Sequence, residues 1–207
     1  MIDKSKITHL IQKDPTLGKF IIFFTKKNFT INDDYRKSTE FLSLVRTIIG
    51  QQLSINVASS IYNKFIDNYG SQLYSLQSNV EVNDLKTLGL SKAKSETIIK
   101  LSYLINVENL NLTKIMKLPE QKAKDILCKI KGIGPWTVEN FLLFSGKNQD
   151  ICPINDLGIK KGIQIIYNLN ELPSEKEVME IASKWKPYRS LASRYLWEIV
   201  DQDINFL

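Results

Sequence analysis

The stretch Ile130-Lys131-Gly132-Ile133-Gly134-Pro135-Trp136-Thr137 sets two glycines one residue apart and follows them with a proline, in a chain of 207 residues that holds 9 glycines. Glycine reaches backbone conformations closed to other residues, so Gly132 and Gly134 allow a sharp reversal. Proline presets the first turn of a helix, so Pro135 marks a helix start. The residues before the turn, Glu120 to Ile130, have a helical pattern. The product is helix, tight hairpin, helix, with backbone N–H groups uncovered near a helix N-terminus. Such a turn binds phosphate oxygens without regard to base. The same spacing also serves as an ordinary connection between two helices, since glycine is common at helix ends.

Other chemistries are poorly supplied. His9 is the one histidine, which argues against a histidine base or a multi-histidine metal centre. Two cysteines, Cys128 and Cys152, cannot build a four-cysteine zinc or iron–sulfur site. The net charge of +6 suits a polyanionic partner, although many basic proteins bind none. No segment has the length and apolarity of a membrane span, and the N-terminus lacks the apolar core of a signal peptide, so the expected location is intracellular.

The elements that must position the hairpin are helical. Phe41, Leu42, Leu44, Val45, Ile48 and Ile49 recur at spacings of three and four, and Val57, Ala58, Ile61 and Phe65 continue the stripe. Gly50-Gln51-Gln52-Leu53-Ser54 interrupts it, giving two helices with a turn between. Ser91 reads as the N-cap of a helix over 92–104. Thr113 opens a short helix, and Pro119 starts another that ends near Lys129. A further helix runs from Pro135 to Leu143. Asp156 precedes one over 157–169, as its N-cap. Ser174 and Glu177 make a capping box, and Pro187 starts the last helix, through Val200. Alternating strand patterns are scarce. The expected class is all-α, and 43% hydrophobic residues are enough for a core.

The hairpin resembles the helix-hairpin-helix element of a large DNA repair glycosylase superfamily. Cys152-Pro153-Ile154-Asn155-Asp156-Leu157-Gly158-Ile159-Lys160 is similar to that family's second mark, an aspartate after a proline-containing loop. Ile48-Ile49-Gly50-Gln51-Gln52-Leu53-Ser54 and Trp185-Lys186-Pro187-Tyr188-Arg189-Ser190-Leu191-Ala192 are similar to two further blocks of its alkylated-base branch, DNA-3-methyladenine glycosylase II. The four blocks stand in the family's order between about residues 41 and 200.

This resemblance implies two helical lobes with a DNA and active-site cleft between them. The central lobe would be 41–140, with the hairpin at about 120–145. The other would combine 1–40 with 141–207, and Asp156 would sit at the cleft. The resemblance further implies that Gly132, Ile133 and Gly134 grip the DNA backbone through main-chain N–H groups. Carbonyls of Cys128, Ile130 and Ile133 would ring a structural Na+ or K+. No other cofactor is implied. Asp156 would be the catalytic carboxylate, stabilising positive charge on the sugar and orienting or deprotonating water. Trp136 and Trp197 would wall the base pocket, since an electron-poor alkylated base stacks well on electron-rich rings. Core packing is the alternative use of either ring. Gln52, with Leu53 beside it, would fill the gap left by a flipped base. Arg46, Lys160, Lys161, Arg189 and Arg194 are candidate phosphate contacts.

Some positions depart from family patterns. Lyase-competent relatives carry a lysine where this chain has Trp136; Lys131 lies elsewhere in the hairpin. Base removal by water without strand cleavage is therefore implied. An aromatic pocket residue of some relatives falls on Asn140. The iron–sulfur loop of the endonuclease III branch is excluded by the cysteine count. The forty residues before the first core helix are too few for the β-rich N-terminal domain of some relatives. The expectation is a monomeric glycosylase acting on alkylated purines, of the 3-methyladenine and 7-methylguanine type, in double-stranded DNA. The alternatives are the same scaffold acting on oxidised or deaminated bases, and a non-catalytic DNA-binding module.

Overall fold

The computed structural model describes residues 3–27, 31, 38–72, 74–145 and 148–202. Among these there are twelve α-helices and no strand: α1 Lys4–Lys13, α2 Pro15–Lys26, α3 Glu40–Gly50, α4 Ile55–Tyr69, α5 Val82–Thr87, α6 Lys92–Asn106, α7 Leu112–Ile115, α8 Glu120–Leu127, α9 Pro135–Phe144, α10 Leu157–Tyr167, α11 Glu175–Ser183 and α12 Arg189–Asp201. None of the described helices is long and apolar enough to cross a membrane.

The chain forms two compact units, one of Met1–Asp33 with Asn148–Leu207 and the other Asp34–Lys147. The boundaries fall at 33/34 and 147/148, where the resemblance implied 40/41 and 140/141. A cut at 140 would divide α9, a continuous hydrogen-bonded helix.

Most helix starts follow local capping chemistry. The Ser91 side chain accepts the Lys94 N–H, and Ser174 with Glu177 forms the reciprocal capping box. Such a cap contributes about 1 kcal/mol. The short α7 begins earlier than expected, because Asn111 rather than Thr113 supplies the cap. The α10 helix ends at Tyr167, two residues early, where Asn168 turns left-handed at φ 51°. At six residues α5 is too short to show a clear apolar period.

In the first unit, Asp14 ties the chain ends of two helices to the core. It is 2% exposed. Oδ1 accepts the Thr16 and Leu17 N–H groups, capping α2. Oδ2 accepts from Trp185 Nε1 at 2.7 Å and from the Tyr167 hydroxyl. Four donors satisfy a carboxylate that burial would otherwise penalise heavily. Burial, and then the bond to Asp14, pushes the Tyr167 phenol far upward. Around this knot pack Leu10, Leu17, Ile21, Phe24, Ile159, Ile163, Trp185, Leu196 and Ile199. The α10 and α12 helices carried by this core bear the carboxylate site described below.

Candidate functional site

The hairpin belongs to the second unit. Ile130 and Ile133 are buried and anchor it, while Gly132 between them is exposed. Gly132 takes φ +92°, and a Cβ there would lie 2.0 Å from Thr97 Oγ1. Both the turn and the close approach of α6 therefore require glycine. Thr97 Oγ1 also lies 3.1 Å from the Lys131 carbonyl, within hydrogen-bonding reach. From the opposite direction, Gln51 Nε2 donates to the Gly132 carbonyl and to Thr137 Oγ1, both at 2.9 Å. Lys94 Nζ in turn donates to the carbonyls of Ile49 and Gln51, at 2.8 and 2.7 Å. A cation at the C-terminus of α3 is well placed for the helix dipole. Burial lowers the Lys94 pKa.

Gly134 is the N-cap of α9, with Pro135 at its first turn and no side-chain cap. With no acidic residue in its first turn either, the N-terminal end of α9 keeps its positive dipole. Of the three carbonyls expected around a monovalent cation, that of Ile130 accepts the Ile133 N–H at 3.0 Å. A carbonyl oxygen has a second lone pair, so this donor set still suits a hard cation.

Trp136 is half-buried in the first turn of α9. Asn140, expected at the base pocket, is turned toward its own helix. It is 3% exposed, and its Nδ2 donates to the Trp136 carbonyl at 3.0 Å. Next to it, Glu139 accepts from Lys124 Nζ at 2.6 Å, and Lys124 also bonds Glu120 at 2.6 Å, bridging α8 and α9. Desolvation opposes the Lys124 charge, but bonds to both carboxylates outweigh it and raise the pKa. Gln52 and Leu53 are exposed in the turn between α3 and α4, Gln52 with φ +55°. Gln51 immediately before them is the residue that grips the hairpin. Sequence reasoning missed it, because its partner lies 81 positions away.

The carboxylate belongs to the first unit. Asp156 caps α10: Oδ1 accepts the Ile159 N–H at 2.9 Å. The same oxygen accepts from Trp197 Nε1 at 2.8 Å. Trp197 stands half-buried on α12, packed against the core of this unit. Gly158 makes room for it, since a Cβ there would lie 2.7 Å from Trp197 Cδ1. The approach to Asp156 is held by Ser190, whose Oγ accepts the Ile151 N–H at 2.9 Å. Arg189, a candidate phosphate contact, is tied to Asp150. Its Nε donates to Asp150 Oδ1 at 2.7 Å, and its Nη2 to the Asp150 carbonyl at 2.7 Å. Arg46 lies 5.1 Å from the Tyr62 ring centre, in cation–π range. Lys160 and Lys161 stand on α10 just after the carboxylate turn, half-buried and exposed. Burial raises the pKa of Glu198 and Asp201 on α12, and the Asp156 charge adds to the effect at Asp201.

Comparison with known proteins gives the chain its family and its fold. An alkylbase DNA glycosidase-like protein of Schizosaccharomyces pombe is 32% identical over 163 residues, covering 75% of this chain and 76% of that protein. A DNA-3-methyladenine glycosylase of Bacillus subtilis is 30% identical over 172 residues, 77% of this chain and 57% of that protein. The chain spans somewhat over half the length of its Bacillus subtilis relatives. In fold it matches the 3-methyladenine DNA glycosylase of Schizosaccharomyces pombe solved in complex with abasic DNA, with a TM-score of 0.83, 24% identity, and coverage of 95% of this chain and 97% of the other. The profile of HhH-GPD superfamily base excision DNA repair proteins matches residues 45–187, from α3 to the cis Lys186–Pro187 bond, taking in both the hairpin and Asp156. The chain belongs to the HhH-GPD superfamily of base excision DNA repair proteins.

Proposed function

We propose that this protein is a monofunctional DNA glycosylase that hydrolyses the N-glycosidic bond of alkylated purines in double-stranded DNA. The observation that carries the reading is Asp156, a carboxylate held by two donors in the family's aspartate block. A helix cap alone needs only the Ile159 bond; the Trp197 indole holds the same oxygen besides. Relatives named as 3-methyladenine glycosylases support the substrate class.

The hairpin supplies backbone affinity through main-chain N–H groups of Gly132, Ile133 and Gly134, beside the uncapped start of α9. Carbonyls of Cys128, Ile130 and Ile133 would hold a monovalent cation that shields the phosphate there. Gln52 and Leu53 fill the gap left by the extruded base, and Trp136 offers a ring for it to stack on. As the glycosidic bond breaks, its electron pair leaves with the base, which an alkyl group has already made cationic. Positive charge builds on the sugar, and the Asp156 carboxylate stabilises it. Water then bonds to the sugar carbon and gives up its proton to Asp156 or solvent. With tryptophan at position 136 no amine stands there to form a Schiff base, so strand cleavage does not follow.

The test is incubation with methylated duplex DNA, assaying free bases, abasic sites and strand breaks. Release of 3-methyladenine, with breaks only after alkali, is expected. Tight, salt-sensitive DNA binding without release of any alkylated base would overturn the reading.

A further inference from the structure

The structure assigns Trp197 to positioning the Asp156 carboxylate through its indole N–H, an inference that rests on the glycosylase reading above. Two donors from two helices converge on one oxygen. The Ile159 N–H of α10 reaches Asp156 Oδ1 at 2.9 Å, and the Trp197 indole N–H of α12 reaches it at 2.8 Å. A helix cap alone leaves an aspartate soft, because its terminal torsion has a broad minimum. A second donor, arriving from another helix, fixes the plane of the carboxylate. Indole is a donor only, so its proton can serve no other partner while this bond stands.

The surroundings are built for that bond. A Cβ on residue 158 would lie 2.7 Å from Trp197 Cδ1, 2.9 Å from Nε1 and 3.0 Å from Asp156 Oδ1. Gly158 is thus the notch through which the indole reaches the carboxylate. The rest of the ring packs on the core cluster of the first unit, which sets its height over α10. Catalysis that depends on a charge held at a developing cation is sensitive to such placement.

Trp197→Phe separates the two roles, since it keeps an aromatic ring and removes the N–H. Single-turnover excision, affinity for abasic-site DNA and thermal stability are measured on the wild type and this variant. The excision rate constant is expected to fall about 10- to 100-fold, with DNA affinity unchanged and cooperative unfolding retained. Wild-type excision by Trp197→Phe would overturn the inference and leave the ring as a stacking wall. A second readout is independent of turnover. The Trp197 indole N–H resonance, identified by its loss in Trp197→Phe, is expected to shift when Asp156 becomes Ala. An unmoved resonance means that no such bond exists in solution, and the inference fails. If the wild type releases no base, the glycosylase reading fails and the catalytic purpose of the bond falls with it, whether or not the resonance shows the bond.

Discussion

Two helix starts in this protein face the same electrostatic problem and answer it differently. Both α9 and α10 follow a tight turn, and each exposes a positive dipole end. Asp156 fills the end of α10 with the protein's own carboxylate, which also accepts the Trp197 indole N–H. Gly134 caps α9 without any side chain. An anion supplied from within organises a reactive group, whereas an end with no internal anion offers its charge to an anion from outside. The supporting contacts follow the same division. Around Asp156 they fix a side chain, while Gln51 and Thr97 at the hairpin fix backbone.

The sharpest test of this contrast is Asp156→Asn. Asparagine caps a helix about as well as aspartate and can still accept the indole proton, so the fold should stay intact. Excision should fall by about 10²- to 10³-fold in single-turnover assays while DNA binding persists. Next is Gly132→Ala, which meets both a φ of +92° and Thr97 Oγ1 at 2.0 Å. Chemical unfolding should register a loss of about 1–3 kcal/mol.

Gly134→Asp would make the first turn resemble the second. The backbone there is extended, φ −103° and ψ 177°, and no atom lies within 4 Å of a built Cβ. Stability should hold or rise by about 0.3 kcal/mol. DNA affinity should fall at least about tenfold, with the slope of log affinity against log salt smaller by about one. Unchanged affinity would break the contrast, because phosphate would then not be using that helix end. Gln51→Leu removes the bonds to Gly132 and to buried Thr137 and should cost about 1 kcal/mol in thermal unfolding, with weaker DNA binding.

The smallest effect concerns Asp201, whose pKa is raised first by burial and then by the Asp156 charge. A raised carboxylate pKa means that the folded state binds more protons than the unfolded chain. The penalty is therefore full above the folded pKa and is relieved as pH falls toward the ordinary value of 3.8. Asp201→Asn should melt slightly higher than wild type at pH 7, with the gap closing on acidification. Burial is only partial here, since the residue stands largely open to solvent at the end of α12, and screening keeps the gain small.

What could be read without coordinates was local. The caps at Ser91, Ser174 and Asp156 each reach no more than four residues along the chain, and the Gly-x-Gly-Pro turn is complete within five. Such features depend on backbone geometry that neighbouring residues alone impose. Tertiary packing decided the rest. Gln51 meets Gly132 across 81 positions, Trp197 meets Asp156 across 41, and Arg189 meets Asp150 across 39. Asn140 stands in the right block for a pocket residue, yet the packing of α9 buries it against its own helix. By itself the sequence determined which helix ends carry a carboxylate and which carry none. Which distant side chains hold those ends was decided only in the folded state, because a hydrogen bond between remote positions exists only after the helices bearing them have packed.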